Sequence, residues 1–199
     1  MAFCGGGGPP CPVAGEGTRQ EGPPPRARKE GPVAATVEIR RATSRDIGGI
    51  LPIWGQLAEF HSALDPAFRP APDWEREYGA YLRALLARDD ALAVVARDGE
   101  EIIGYAVGRI TTMPAFFAQR QRGYIHDVYV RPEYRRRGIG RRLVEEILAW
   151  LRRRGVTLVE LTVAAANEAI PFWERLGFRV YMHQMKLDLL QRREPPRRG

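Results

Sequence analysis

The sequence predicts an α/β protein built on one mixed sheet. Two observations carry that prediction. Strand and helix patterns alternate in the order β-α-α-β-β-β-α-β-α-β, and three strand patterns follow one another in the middle of the chain. A purely doubly wound sheet would place a helix after every strand, so the uninterrupted run marks antiparallel pairing beside parallel pairing.

The elements follow in order from the N-terminal side. Residues 37–40 are a short strand. Thr43 followed by Asp46 is a capping signal, and Ile47, Ile50, Leu51, Trp54, Leu57 and Ala58 then recur at helical spacing. Pro52 inside that run is expected to kink or restart the helix, because it has no N–H to donate. Residues 61–72 (HSALDPAFRPAP) read as a proline-broken loop. A second amphipathic helix over 73–88 presents Trp74, Tyr78, Tyr81, Leu82, Leu85 and Leu86. Strands at 92–97 and 102–109 flank the Asp98-Gly99 turn of a hairpin. A loop over 111–122 carries Met113, Phe116 and Phe117, and 124–130 is the next strand. The following helix shows Leu143, Val144, Ile147, Leu148 and Leu151 on one face, with Gly155 beyond its end. A β-branched strand at 156–163, a short helix at 167–176 stopped by Gly177, and strand material over 178–189 complete the domain.

The 199 residues fit one domain with room for a real core, since 44% are hydrophobic. Three regions are expected: a disordered Gly/Pro-rich leader (1–35), a folded domain (36–190) and a basic disordered tail (191–199). No apolar run is long enough for a membrane span, and the N-terminus has no secretory pattern. Cys4 and Cys11 both lie in the leader and support neither a disulfide framework nor a zinc site. The expectation is therefore a cytoplasmic, metal-free globular protein. The formal charge is +7, but residues 36–190 hold 23 basic and 20 acidic groups, a net of only +3. Lys29 and Lys186 are the only lysines. That balance argues against nucleic acid, whose binding needs many phosphate contacts.

The charge is concentrated instead at Arg135, Arg136, Arg137, Arg141 and Arg142, around Gly138 and Gly140. A strand ends at Val130, a loop follows, and a helix starts near Gly138 or Ile139. A helix N-terminus offers unpaired N–H groups to an anion, glycine lets the backbone come close, and arginine adds forked donors. The ligand this suits is a pyrophosphate. Neither a Walker loop nor a dinucleotide-binding fingerprint is present.

Arg135-x-x-Gly138-x-Gly140, preceded by Ile125-His126-Asp127-Val128-Tyr129-Val130 and Arg131-Pro132, resembles the first signature of the GCN5-related N-acetyltransferases, the GNAT superfamily. Residues 167–178 (NEAIPFWERLGF) resemble its second signature, and the likeness spans roughly 37–189. The resemblance implies a sheet whose two central parallel strands, here 124–130 and 156–163, splay apart after a bulge and admit acetyl-CoA as cosubstrate. Main-chain groups of Val128, Tyr129 and Val130 would then pair with the pantetheine. The turn from Arg135 through Arg136, Arg137, Gly138, Ile139 and Gly140 to Arg141 would hold the pyrophosphate, and Asn167 and Trp173 would close the other side.

It also implies transfer of the acetyl group to a primary amine by direct attack. The amine must lose a proton, an oxyanion must be met by a donor, and the departing sulfur must gain a proton. His126 titrates near neutrality and suits the base, directly or through water; Asp127 would orient it or attract the substrate's charge. As neighbours in a strand, the two point to opposite faces unless the bulge intervenes. Trp173 stands where many relatives carry a tyrosine that serves as acid, leaving water, the substrate's ammonium, Tyr134 or Tyr181 for that task. Asn167 precedes Trp173 by six residues where seven is the commoner spacing. His61, Phe116 and Phe117 fall where the family builds its acceptor pocket, for an amine-bearing small molecule or peptide. A homodimer is common among such proteins, although no residue here points to one. The rival readings are a catalytically silent acyl-CoA-binding protein of the same fold and a basic nucleic-acid-binding domain.

Overall fold

The computed structural model describes residues 37–189; the expected leader (1–35) and tail (191–199) lie outside the described residues. Five strands form one sheet in the order β1 (Glu38–Arg41), β2 (Ala91–Asp98), β3 (Glu101–Thr112), β4 (Gln121–Val130) and β5 (Val159–Glu160). The first three pairings are antiparallel and β4–β5 is parallel, so the sheet is mixed, as three consecutive strand patterns require.

Helices α1 (Ile47–Leu64) and α2 (Trp74–Leu86) cover one face of the sheet, and α3 (Ile139–Arg153) covers the other. The sheet separates two apolar cores. On the α3 side, Leu143, Val144, Ile147 and Leu151 are fully buried against Leu92, Val94, Ala96, Ile103, Ala106 and Ile125. Two glycines let that helix sit close. A Cβ on Gly108 would stand 2.4 Å from Ile147 Cγ2, and one on Gly123 2.5 Å from Leu151 Cδ1. On the other face, Ile50, Ile53, Leu57, Leu82 and Leu85 pack on Ala93, Val95, Tyr105 and Val107.

The turn into α1 is tied by a partly buried ion pair. Asp46 receives both arms of Arg40 at 2.7 and 2.8 Å, together with the backbone N–H of Thr43 at 2.7 Å. The Arg40 bonds come first among the causes that hold its carboxyl down at about 2.

Four expectations need correction. Pro52 does not restart α1, which runs unbroken for 18 residues; its missing N–H would only have reached Gly48, near the helix start. His61 lies in the last turn of that helix rather than in a loop, because the first proline able to stop it is Pro66. The strand expected at 156–163 pairs only at Val159 and Glu160. Residues 178–188 contain no strand, and Val180, Met182, Met185 and Leu187 are exposed. In both cases β-branched and apolar residues favour an extended chain, but a ladder also needs a partner edge.

Candidate active site

The site begins with a bulge. Val107 faces Asp127 across the β3–β4 ladder while Gly108 faces Ile125, so His126 is the extra residue. The consequence is visible in the packing. Ile125 belongs to the core under α3, yet Asp127, two residues on, turns to α2, where Tyr78 reaches it. Regular alternation would have placed them on one face. Val128 and Val130 then return to the α3 side, and Tyr129 joins the α1–α2 side.

The same stretch of β4 leaves its parallel neighbour. Pairing with β5 is confined to Gly123–Val159 and Tyr124–Glu160. From His126 to Val130, the β4 edge turned away from β3 has no ladder partner among the described residues. That free edge leads directly into the arginine-rich turn.

The turn is shaped by two left-handed residues, Arg136 (φ 60°) and Gly138 (φ 78°). The first helical N–H bonded back is that of Arg142, to the Gly138 carbonyl at 3.1 Å; those of Ile139, Gly140 and Arg141 precede it and lack an intrahelical acceptor. Four of the five arginines are spent on the fold itself. Arg135 donates to the Val130 carbonyl at 2.9 Å and lies over the Tyr129 ring. Arg137 donates to the Glu133 carbonyl and lies over Tyr134. Arg141 pairs with Glu145, and Arg142 reaches the Val37 carbonyl. The side chain of Arg136 makes no such contact among the described residues and is exposed.

Around the bulge, side chains converge from four elements. Tyr78 of α2 donates to Asp127 Oδ2 at 2.6 Å, and its oxygen lies 3.5 Å from that of the fully buried Tyr105 of β3. The Tyr78 ring stacks on Trp54 of α1 (4.4 Å), which also meets Trp74 (4.9 Å). Burial pushes the Asp127 carboxyl up, opposed by the Tyr78 bond and by the nearby His126 and His61. Burial likewise lowers the His126 imidazole below its ordinary 6.5, with Asp127 acting in the opposite direction. His126 itself packs edge-on against Tyr124 at 4.8 Å.

The other sequence candidates separate. His61 comes near enough to Asp127 to act on its charge. Phe116 and Phe117 contact each other at 4.7 Å in the β3–β4 connection, where Phe116 is exposed. Tyr134 is not brought to the bulge, since its hydroxyl donates to Asp98 at 3.1 Å beyond the end of β4. Tyr181 is likewise engaged, by Glu160 at 2.6 Å. Asn167 uses its side-chain oxygen on the Ala169 N–H at 2.8 Å, ahead of α4 (Ile170–Arg175). Trp173 is half-buried between Phe172 and Phe178 against the α3 core. Sequence reasoning missed Tyr78, Tyr105 and Trp54 as neighbours of the pair. The available signal was the surplus of aromatic residues on the α2 face.

The sequence profile of the acetyltransferase (GNAT) family matches residues 57–178, more than half of the chain. The chain belongs to that family. A glucosamine 6-phosphate N-acetyltransferase of Trypanosoma brucei brucei is 40% identical over 154 residues, covering 77% of this chain and 96% of the relative. An uncharacterized N-acetyltransferase of Methanocaldococcus jannaschii is 28% identical over 144 residues, and the match spans 61% of that longer protein. Among solved structures, a Bacillus halodurans protein superposes with a TM-score of 0.68 at 26% identity, covering 76% of this chain and 99% of the other. A Clostridium acetobutylicum acetyltransferase solved with acetyl-CoA shares the fold at a TM-score of 0.64 and 20% identity, over 80% of this chain and all of that one. This GNAT domain is thus an enzyme domain of the N-acetyltransferase class. No helix among its described residues is long and apolar enough to cross a membrane.

Proposed function

We propose that the chain moves the acetyl group of acetyl-CoA onto a primary amine that arrives as an ammonium ion, with His126 as the base. The observation that carries this reading is the edge of β4 from His126 to Val130, which has no ladder partner among the described residues and joins the bulge to the turn before α3. The residues present fit the cosubstrate. Main-chain groups of Val128 and Val130 would take the pantetheine as an added strand. The N–H groups of Ile139, Gly140 and Arg141, with the side chain of Arg136, would take the pyrophosphate.

When bound, acetyl-CoA supplies a thioester carbonyl; as the amine nitrogen forms its C–N bond there, the C–S bond breaks. His126, kept neutral by its lowered pKa, accepts the proton that the ammonium must lose, directly or through water. The Val128 N–H meets the developing oxyanion. Tyr134 and Tyr181 already donate to Asp98 and Glu160, so the second proton, which the nitrogen sheds once its C–N bond has formed, passes through solvent to the departing sulfur. Asp127 supplies the negative charge that draws the ammonium in. The trypanosomal relative is named for glucosamine 6-phosphate, which supports a small-molecule amine as the acceptor.

The test is release of free thiol from acetyl-CoA against glucosamine 6-phosphate, spermidine and an alanine-terminated peptide. Turnover with one of these amines is expected. Tight acetyl-CoA binding with turnover on none of the three would overturn the acceptor classes proposed here.

A further inference from the structure

We infer that Tyr78 is a positioning residue for the acceptor side of the reaction: its hydroxyl holds Asp127 Oδ2, and its ring, clamped on Trp54, fixes where the carboxylate presents its charge to the incoming ammonium. The inference rests on the reading of Asp127 given above and extends it to a residue of α2.

Three features of the geometry support it. The Tyr78–Asp127 bond is short, 2.6 Å, and joins residues 49 apart in the chain, so α2 and β4 are registered against each other at this point. The Tyr78 ring cannot swing away without giving up its stack on Trp54 at 4.4 Å and its contact with Tyr81 at 5.7 Å. Asp127, finally, belongs to none of the ion pairs among the described residues. A carboxylate held by phenols rather than by a guanidinium has no resident cation, so a cation that comes from outside is the partner that offsets its burial.

The groups that act on it are Tyr78 and Tyr81 from α2, Tyr105 from β3, His61 from α1 and His126 from β4, and Arg109 of β3 acts in turn on Tyr81 and His126. Burial holds the Tyr78 phenol far above its ordinary value, so it remains a donor at every working pH.

Tyr78→Phe keeps the ring stack and removes only the donor. Without that donor, the Asp127 carboxyl should hold its proton about tenfold more tightly, an upward move of about one pH unit in its 13C-carboxyl NMR titration. The acceptor KM should rise about tenfold toward acid pH, while kcat changes less than about twofold and the acetyl-CoA Kd stays put. In the Asp127→Asn background, the same change should have no further effect on KM. An unmoved titration would overturn the inference, as would a titration that moves without any change in acceptor KM. Additive losses in the double variant would also overturn it. Should Tyr78→Phe fold poorly, Tyr105→Phe weakens the same hydrogen-bond chain and is expected to move the titration the same way by a smaller amount; no movement there counts against the inference. Absence of turnover by the unaltered protein would show in the rate arm alone, and would remove the acetyl-transfer reading while the NMR arm still decides the hydrogen bond.

Discussion

At its C-terminal end, β4 runs into a turn made almost wholly of main chain, whereas at its middle the bulge gathers side chains from α1, α2, β3 and β4. In the turn, two left-handed residues and the first N–H groups of α3 do the shaping, and the arginines mostly brace the loop against its own carbonyls. At the bulge, one extra residue turns Asp127 to the α2 side, where Tyr78 meets it. A site made of backbone tolerates most side chains but not a wrong φ. One made of side chains tolerates backbone drift poorly and depends on contacts far apart in sequence.

The contrast is broken most severely by removing the base. His126→Ala should lower kcat about 100-fold or more, as loss of a general base does, with the acetyl-CoA Kd unchanged. In the unaltered protein the acid limb of kcat/KM should have its midpoint below the ordinary imidazole value of 6.5, because burial lowers the His126 pKa and the neutral form persists into acid. A variant with the same pH–rate profile would mean that His126 is not the base. Gly138→Val should do the reverse. Forcing a β-branched residue to φ 78° costs about 1–2 kcal/mol or more, so acetyl-CoA affinity by calorimetry should drop about tenfold while the kcat of saturated enzyme changes little.

Asp46 touches neither region and sharpens the comparison as a control. Its carboxyl sits at about 2 in the folded chain against an ordinary 3.8, so its stabilisation is complete above the unfolded value and fades as pH falls through the folded one. Asp46→Asn should cost about 1–2 kcal/mol in denaturant unfolding at pH 7. That gap should close toward pH 2. Gly140→Ala is the smallest expected change. A Cβ there would lie 3.7 Å from the Phe172 ring, an ordinary contact, so affinity and Tm should stay near those of the unaltered protein. A large loss would mean that the cosubstrate approaches this backbone more closely than the turn alone suggests.

The turn was legible because its signals are local. Gly138 and Gly140 follow closely on the strand that ends at Val130, and what they do follows from backbone geometry. Even so, the arginine count misled about its purpose, since the guanidinium of Arg135 is aimed at Val130 and that of Arg142 at Val37. His126 and Asp127 were legible as a pair of chemically apt residues. Their environment was not, because Tyr78 and Tyr105 lie 49 and 22 positions away and read as ordinary members of a helix face and a strand. Tyr134 had the right chemistry for an acid, but only the tertiary fold sends its hydroxyl to Asp98.

Hydrophobic periodicity, the run of three strands and the glycines around Arg135–Arg142 determine by themselves a mixed sheet with an anion-ready turn before an amphipathic helix. Those features act over one or two helical turns or a single hairpin, where propensity and backbone freedom decide the outcome. The placement of the bulge on His126, the parting of β4 from β5 after Tyr124, and the seat of Asp127 between two tyrosines were decided by tertiary structure alone. Each is settled by which distant side chains and edges meet when the two cores close on opposite faces of the sheet, and no local window of the chain holds that information.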